Sequence, residues 1–143
     1  MGMKTSARNT LAGTISKITK GAVNSEVVLA TEAGSEIVAV ITNGSVETMG
    51  LKEGMKAWAL VKASWIIIGK EMDKSKISTR NILCGLVETI REGSVNDEVS
   101  IRLQGGELLT GVITDGSLHR LELHLGEPVC AAFKASSVIV AVD

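Results

Sequence analysis

Tyrosine is absent from this 143-residue chain, phenylalanine occurs once and tryptophan twice. Proteins that bind single-stranded nucleic acid stack bases on aromatic rings in a basic groove, and Trp58, Trp65 and Phe133 are too few to furnish one. A cationic excess is missing as well: 15 Lys and Arg stand against 16 Asp and Glu, a net charge of −1. A domain built for a polyanion carries surplus positive charge, so no nucleic-acid partner is expected. The two cysteines, Cys84 and Cys130, are too few for a disulfide scaffold and lack metal-ligand spacing. They are expected to be reduced, partly buried thiols. No run approaches the roughly 18 apolar residues of a membrane helix, and no N-terminal stretch has the pattern of a signal peptide. The expectation is a soluble cytoplasmic protein with no membrane partner.

What is present is a folded composition, 45% apolar and carried mainly by Val, Ile, Leu and Ala, arranged as a repeat. In one gap-free register Ser6 falls on Ser78 and Lys62 on Lys134, and about a third of the aligned positions are identical, the mark of tandem duplication. The boundaries read as a first domain over 1–70, a polar linker over 71–77 and a second domain over 78–143. Each copy is β-rich. "NTLAGTIS" alternates apolar and polar residues with the period of a half-buried strand. "SEVVLAT", "SEIVAVIT" and "KAWALVKASWIII" are rich in β-branched residues and bounded by Gly, Asn and Ser. One short helix is expected over 45–54, with Ser45 as its N-cap. Five strands and one helical turn per copy predict an all-β chain of two small OB-like barrels.

Duplication supplies an internal control, because chemistry performed by both copies uses residues present in both. His119 aligns with Glu47, His124 with Lys52, Cys84 with Ala12 and Cys130 with Trp58. Catalysis by Cys–His and direct metal ligation by side chains therefore fail the control; only a function confined to the second copy escapes it. The chain is not expected to be an enzyme. The retained glycines and apolar pairs, among them Val23 and Val95, read as turns and core of a barrel. The retained polar pairs are Ser6/Ser78, Arg8/Arg80, Asn9/Asn81, Asn24/Asn96, Glu26/Glu98, Thr42/Thr114, Ser45/Ser117, Lys62/Lys134 and Ser64/Ser136.

Two of these phrases, "SAR" or "STR" near the start of a copy and "KAS" near its end, point to an anion. In extended strands residues two apart share a face, which would align Ser6 with Arg8 and Lys62 with Ser64. The first and last strands of a closed barrel can bring the phrases together. A guanidinium fork, an ammonium, hydroxyls and the N–H groups around Ala63 all donate hydrogen bonds, and the phrases contain no carboxylate. Such a set suits a fully deprotonated tetrahedral oxyanion, with Glu26/Glu98 expected elsewhere.

The combined motifs "TSARN-x-L-x-G-x-I", "G-x-V-N-x-E-V", "IT-x-x-S" and "L-x-x-G…VKAS-W-I-I-I" resemble the Mop (TOBE-type) domain of the molbindins, twice over. The second copy departs at Thr79 for Ala7 and at "FKASS" for "VKASW". The resemblance implies two tandem OB-like Mop barrels that bind molybdate, with tungstate as its mimic, for intracellular molybdenum storage and homeostasis without catalysis. It further implies a homotrimer with oxyanions between subunits. The matching donor positions are Ser6, Arg8, Thr42, Lys62, Ala63 and Ser64, and Ser78, Arg80, Thr114, Lys134, Ala135 and Ser136 in the second copy. A second type of oxyanion site is expected at the "GAVN" and "GSVN" turns, through Asn24 and Asn96. The alternative function is an oxyanion-sensing regulatory or interaction module.

Overall fold

The computed structural model describes residues 1–143. The first repeat forms β1 (Asn9–Lys20), β2 (Asn24–Thr31), β3 (Glu36–Thr42), α1 (Asn43–Met49), β4 (Lys56–Val61) and β5 (Ile67–Gly69). The second forms β6 (Asn81–Arg91), β7 (Asn96–Leu103), β8 (Leu108–Thr114), α2 (Asp115–Leu121), β9 (Pro128–Phe133) and β10 (Ile139–Ala141). These ten strands make two five-stranded antiparallel sheets, each rolled into an OB-like barrel with one short helix.

β1 is long enough to serve both sides of its barrel. Asn9–Thr14 pair with β4, and Gly13–Lys20 pair with β2, with a register shift between Ile15 and Lys17. β6 repeats this, shifting between Val87 and Thr89. An extra residue at such a bulge bends the strand and closes the sheet. Gly13 and Gly85 lie where the strand is paired on both flanks. A Cβ there would meet Ala30 O at 2.7 Å and Arg102 O at 2.1 Å, so retention of these glycines has a steric cause.

Strand order crosses the repeats. The first sheet runs β10-β4-β1-β2-β3 and the second β5-β9-β6-β7-β8. The stretch "KAWALVKASWIII", expected as one strand-like run, is therefore two strands in different sheets, separated by a 3-10 turn at Ala63–Trp65. β5 then pairs Ile67–Gly69 with Ala132–Cys130, and β10 pairs Ile139–Ala141 with Leu60–Trp58. One continuous core of 24 buried residues results, with Ile68 and Val140 of the exchanged strands and Ile66 and Val138 just before them among its members.

The duplicated asparagines stitch the exchange. Asn9 and Asn81 are 2% and 1% exposed. Asn81 Nδ2 donates to Val38 O at 2.8 Å and its Oδ1 accepts from Val38 N–H at 2.8 Å. Asn9 Nδ2 likewise donates to Thr110 O at 2.8 Å, and its Oδ1 accepts from Thr110 N–H at 2.7 Å. Each amide thus satisfies an edge strand of the opposite barrel, β3 or β8, as a ladder partner would. Asn81→Ala is expected to strand both groups of Val38, at about 1–3 kcal/mol for each buried polar group left unpaired. Urea unfolding measures this, and a midpoint equal to wild type would refute the stitch.

Three expectations are corrected. The helices begin two residues early and are capped by Thr42 and Thr114, whose hydroxyls accept from Ser45 and Ser117 N–H at 3.1 Å. Ser45 is inside its helix because Thr42, at the end of β3, already has the extended backbone that a cap requires. Val23 and Val95 are 71% and 70% exposed, at turn tips rather than in the core. Cys84 and Cys130 are joined as a disulfide, not reduced. They are direct partners in the β6–β9 ladder, the position occupied by Ala12 and Trp58 in the β1–β4 ladder. That pairing depends on strand register, which the separation of the two cysteines in sequence does not reveal.

Candidate functional site

The phrases meet because they flank the same end of one antiparallel ladder, one before its first strand and the other after its last. Asn9 pairs with Val61 and Asn81 with Phe133, so Arg8 adjoins Lys62 and Arg80 adjoins Lys134 one residue beyond. Neither phrase is an extended strand. Ser6–Arg8 precedes β1, and Lys62 and Lys134 are the last extended residues before the 3-10 turns Ala63–Trp65 and Ala135–Ser137. The same-face argument for Ser6 with Arg8 and Lys62 with Ser64 is thus corrected: ladder ends and turns make the juxtaposition.

In the second copy Ser78, Arg80, Lys134, Ala135 and Ser136 line one cavity of about 400 Å³, walled by Val40 of the first repeat. Thr79, where the first copy has Ala7, donates from Oγ1 to Phe133 O at 2.6 Å and ties the two phrases together. Lys134 Nζ has no hydrogen-bond or ion-pair partner within the chain. Lys62 Nζ instead lies over the Trp65 ring, 5.2 Å from its centroid. Ser6, Ser64, Ser78 and Ser136 are exposed, whereas Ala63 and Ala135 are buried beneath the turns.

The carboxylate expected elsewhere is at this junction. Arg80 makes a fork to Glu26, Nη1 to Oε2 at 2.6 Å and Nη2 to Oε1 at 3.1 Å, and Arg8 pairs with Glu98. Each retained arginine meets the retained glutamate of the other repeat, so the site is not donor-only. Sequence pattern missed Glu26 and Glu98 because the pairing crosses the repeats, although their joint retention was the available signal. Val28, Val38 and Val40 share the outer face of the first barrel with Glu26, and Ala135 packs on Val28 and Val38. Thr42 continues that face two residues beyond Val40, opposite Asn24, and does not line the cavity. Thr114 holds the corresponding place in the second repeat, opposite Asn96.

Hydrogen bonding from Arg8 holds the Glu98 carboxyl below the ordinary glutamate range, against the opposing effect of its partial burial. A depressed folded-state pKa stabilises above the unfolded value, roughly 4.3 for glutamate, and that contribution is lost as pH falls through the lower folded value. The wild-type urea midpoint should therefore fall more steeply than that of Glu98→Gln as pH drops below about 4. Parallel pH profiles would show that the pair adds nothing. The effect is small because the pair is solvent-exposed.

Asn24 and Asn96 are exposed at the starts of β2 and β7, paired with Thr42 and Thr114 and next to Val23 and Val95. The structure does not bring them into the Arg–Lys cavity. A larger cavity of about 1010 Å³ lies beside the disulfide. Its cations are already engaged, Arg102 by Glu88 at 2.6 Å and Lys70 by Glu127 at 3.2 Å, which leaves no unpaired cation there. No helix is long and apolar enough to cross a membrane.

Two OB-like barrels with crossed Arg–Glu pairs and an uncommitted lysine define a tandem β-barrel protein of binding type. The chain belongs to the TOBE domain family, which matches twice, over residues 5–68 and 77–140, and it resembles the di-Mop molbindin ModG. A structure of ModG, described as a cytoplasmic molybdate-binding protein and containing molybdate, superposes with a TM-score of 0.94 at 40% identity, covering 99% of this chain and 100% of that one. The molybdenum-pterin-binding protein MopA of Rhodobacter capsulatus is 44% identical over 140 residues, 98% of this chain and 53% of its own. The molybdenum transport protein ModE of Azotobacter vinelandii is 44% identical over 142 residues, 99% of this chain and 52% of its own. The chain thus spans about half the length of these curated relatives.

Proposed function

We propose that this chain binds molybdate reversibly, with tungstate as its mimic, and serves molybdenum storage and homeostasis in the cytoplasm without catalysis. The observation that carries this reading is the cavity lined by Arg80, Lys134, Ser78 and Ser136. Charge-assisted donors favour a compact oxyanion, and full-length similarity to ModG supports molybdate as the one bound. The proposed donor sets are Ser78, Arg80, Lys134, Ala135 and Ser136 with Thr42, and Ser6, Arg8, Lys62, Ala63 and Ser64 with Thr114. The units 1–70 and 78–143, joined by 71–77, are proposed as the two Mop domains. A homotrimer is proposed in which the exposed tips at Val23 and Val95 bring Asn24 and Asn96 to oxyanions between subunits. Binding between subunits would couple occupancy to assembly.

Equilibrium dialysis against molybdate, repeated with excess sulfate and with excess phosphate, tests this reading. Saturable binding of more than one molybdate per chain, resistant to both competitors, is expected. No binding, or displacement by equimolar sulfate, would overturn it. The similarity to about half of ModE favours a second reading, an oxyanion-sensing regulatory module, for which molybdate would bind at low stoichiometry and alter association with a partner.

A further inference from the structure

The second repeat carries a group of ionisable side chains that the first lacks. Where the first has Ser25 and Asn43, with Ser25 Oγ donating to Asn43 Oδ1 at 2.6 Å, the second has Asp97 and Asp115. Asp97 is 1% exposed. Its Oδ1 accepts from Gly93 N–H at 2.7 Å, but its buried Oδ2 has no donor, and neither has the buried Oδ1 of Asp115. The two carboxyls adjoin, and a hydrogen bond with Asp97, which requires one of them to keep its proton, is the chief cause of a raised Asp115 pKa, followed by burial.

One helical turn beyond Asp115, His119 Nε2 lies 3.4 Å from Asp115 Oδ1 and 3.7 Å from Glu92 Oε1. One ligand atom from each of Glu92, Asp115 and His119 falls within 4.8 Å of the other two. These separations exceed the roughly 2.7–3.2 Å of a good hydrogen bond. Corners of a tetrahedron about 2.0–2.1 Å from zinc lie about 3.3 Å apart; the His119–Asp115 separation is close to that edge, and Glu92 would have to draw in by a few tenths of an ångström. Glu92 and His119 are more than half exposed, which leaves a route in from solvent.

We propose that Glu92 Oε1, Asp115 Oδ1 and His119 Nε2 form a binding site for a divalent transition-metal ion of the zinc class, with the buried Asp97 carboxyl, whose Oδ2 has no other partner, as the group that holds Asp115 from behind. A bound dication would displace the proton that the Asp97 and Asp115 carboxyls share and compensate both charges. An imidazole among carboxylates selects a borderline first-row metal over magnesium or calcium. Supporting carboxylates that orient a metal ligand matter nearly as much as the ligands. The site belongs to the second repeat alone, where the duplication control has no power. It is also adjacent to Asn96, so a bound cation would cancel negative charge that otherwise repels an oxyanion at that turn.

The first repeat supplies the test variant. Asp97→Ser with Asp115→Asn installs residues that this fold already accepts at Ser25 and Asn43. Zinc chloride titrated into the full chain against a chromophoric chelator should show one ion bound per chain and insensitive to excess magnesium. His119→Ala removes a direct ligand and should weaken it by more than the roughly 10–100-fold that loss of an outer partner costs, and the Asp97/Asp115 double variant should abolish it. Cobalt(II) should give visible absorption bands that the His119→Ala variant alters. Absence of zinc binding in the wild type, affinity unchanged in both variants, or displacement by magnesium would each overturn the site.

Discussion

A chain lacking Val138–Asp143 is expected to lose its first barrel, although these residues belong to the second repeat. Val138 and Val140 are buried in the shared core, and β10 is the edge strand that pairs with Trp58–Leu60. Each fully buried valine contributes about 1.5–3 kcal/mol. Losing two of them, with the ladder bonds, removes about 5 kcal/mol from a total of about 5–15 kcal/mol for an ordinary domain. Amide hydrogen exchange locates the damage. Protection should collapse first across Lys56–Val61, remote in sequence from the deletion. If exchange rose only across Pro128–Phe133, each repeat would be closing its own sheet and the crossed strand order would be wrong.

Lys134→Ala should weaken molybdate binding at the second-copy site by about 10–100-fold, the equivalent of losing one charge-assisted hydrogen bond worth about 1.5–3 kcal/mol. The size of the effect follows from what each cation is doing. Arg80 spends its fork on Glu26 and must share or surrender bonds to an incoming anion. Lys134 has no partner to release, so its full charge is available. The same reasoning gives Glu26→Gln the opposite sign: with the competing carboxylate removed, affinity at that site should rise. Dialysis of the two variants beside wild type reads both outcomes. A Lys134→Ala protein within twofold of wild-type affinity would remove this lysine from the site.

Much of this arrangement was legible in local pattern. The alternation of Leu11, Gly13 and Ile15 placed β1 with its inward face correct, and the repeat drew attention to Arg8, Lys62 and their counterparts before any contact was known. What stayed hidden depends on long-range pairing. β5 reads "IIG" and β10 reads "IVA"; as short apolar strands either could close either barrel, so no local pattern could reveal the exchange. The glutamates that meet Arg8 and Arg80 were invisible for the same reason. The asparagines were seen as retained but assigned no role, because a side-chain amide standing in for a strand needs the edge of another sheet beside it. Thr42 and Thr114 match ligand donors in sequence, whereas their capping bonds depend on where the helix starts, which local pattern does not fix.

The strand exchange also means that the segment joining the repeats is not what holds them together. Asp73–Lys76 is an exposed turn, and a protease cutting after Lys74 would leave two fragments that each contain a strand of the other's sheet. Such fragments should stay interlocked through dilution and gel filtration and separate only when denatured. By the same topology, a chain of one repeat could not complete its own barrel. It would have to take its fifth strand from a second copy and give one in return, so that the covalent pair here is the tethered form of a reciprocal dimer.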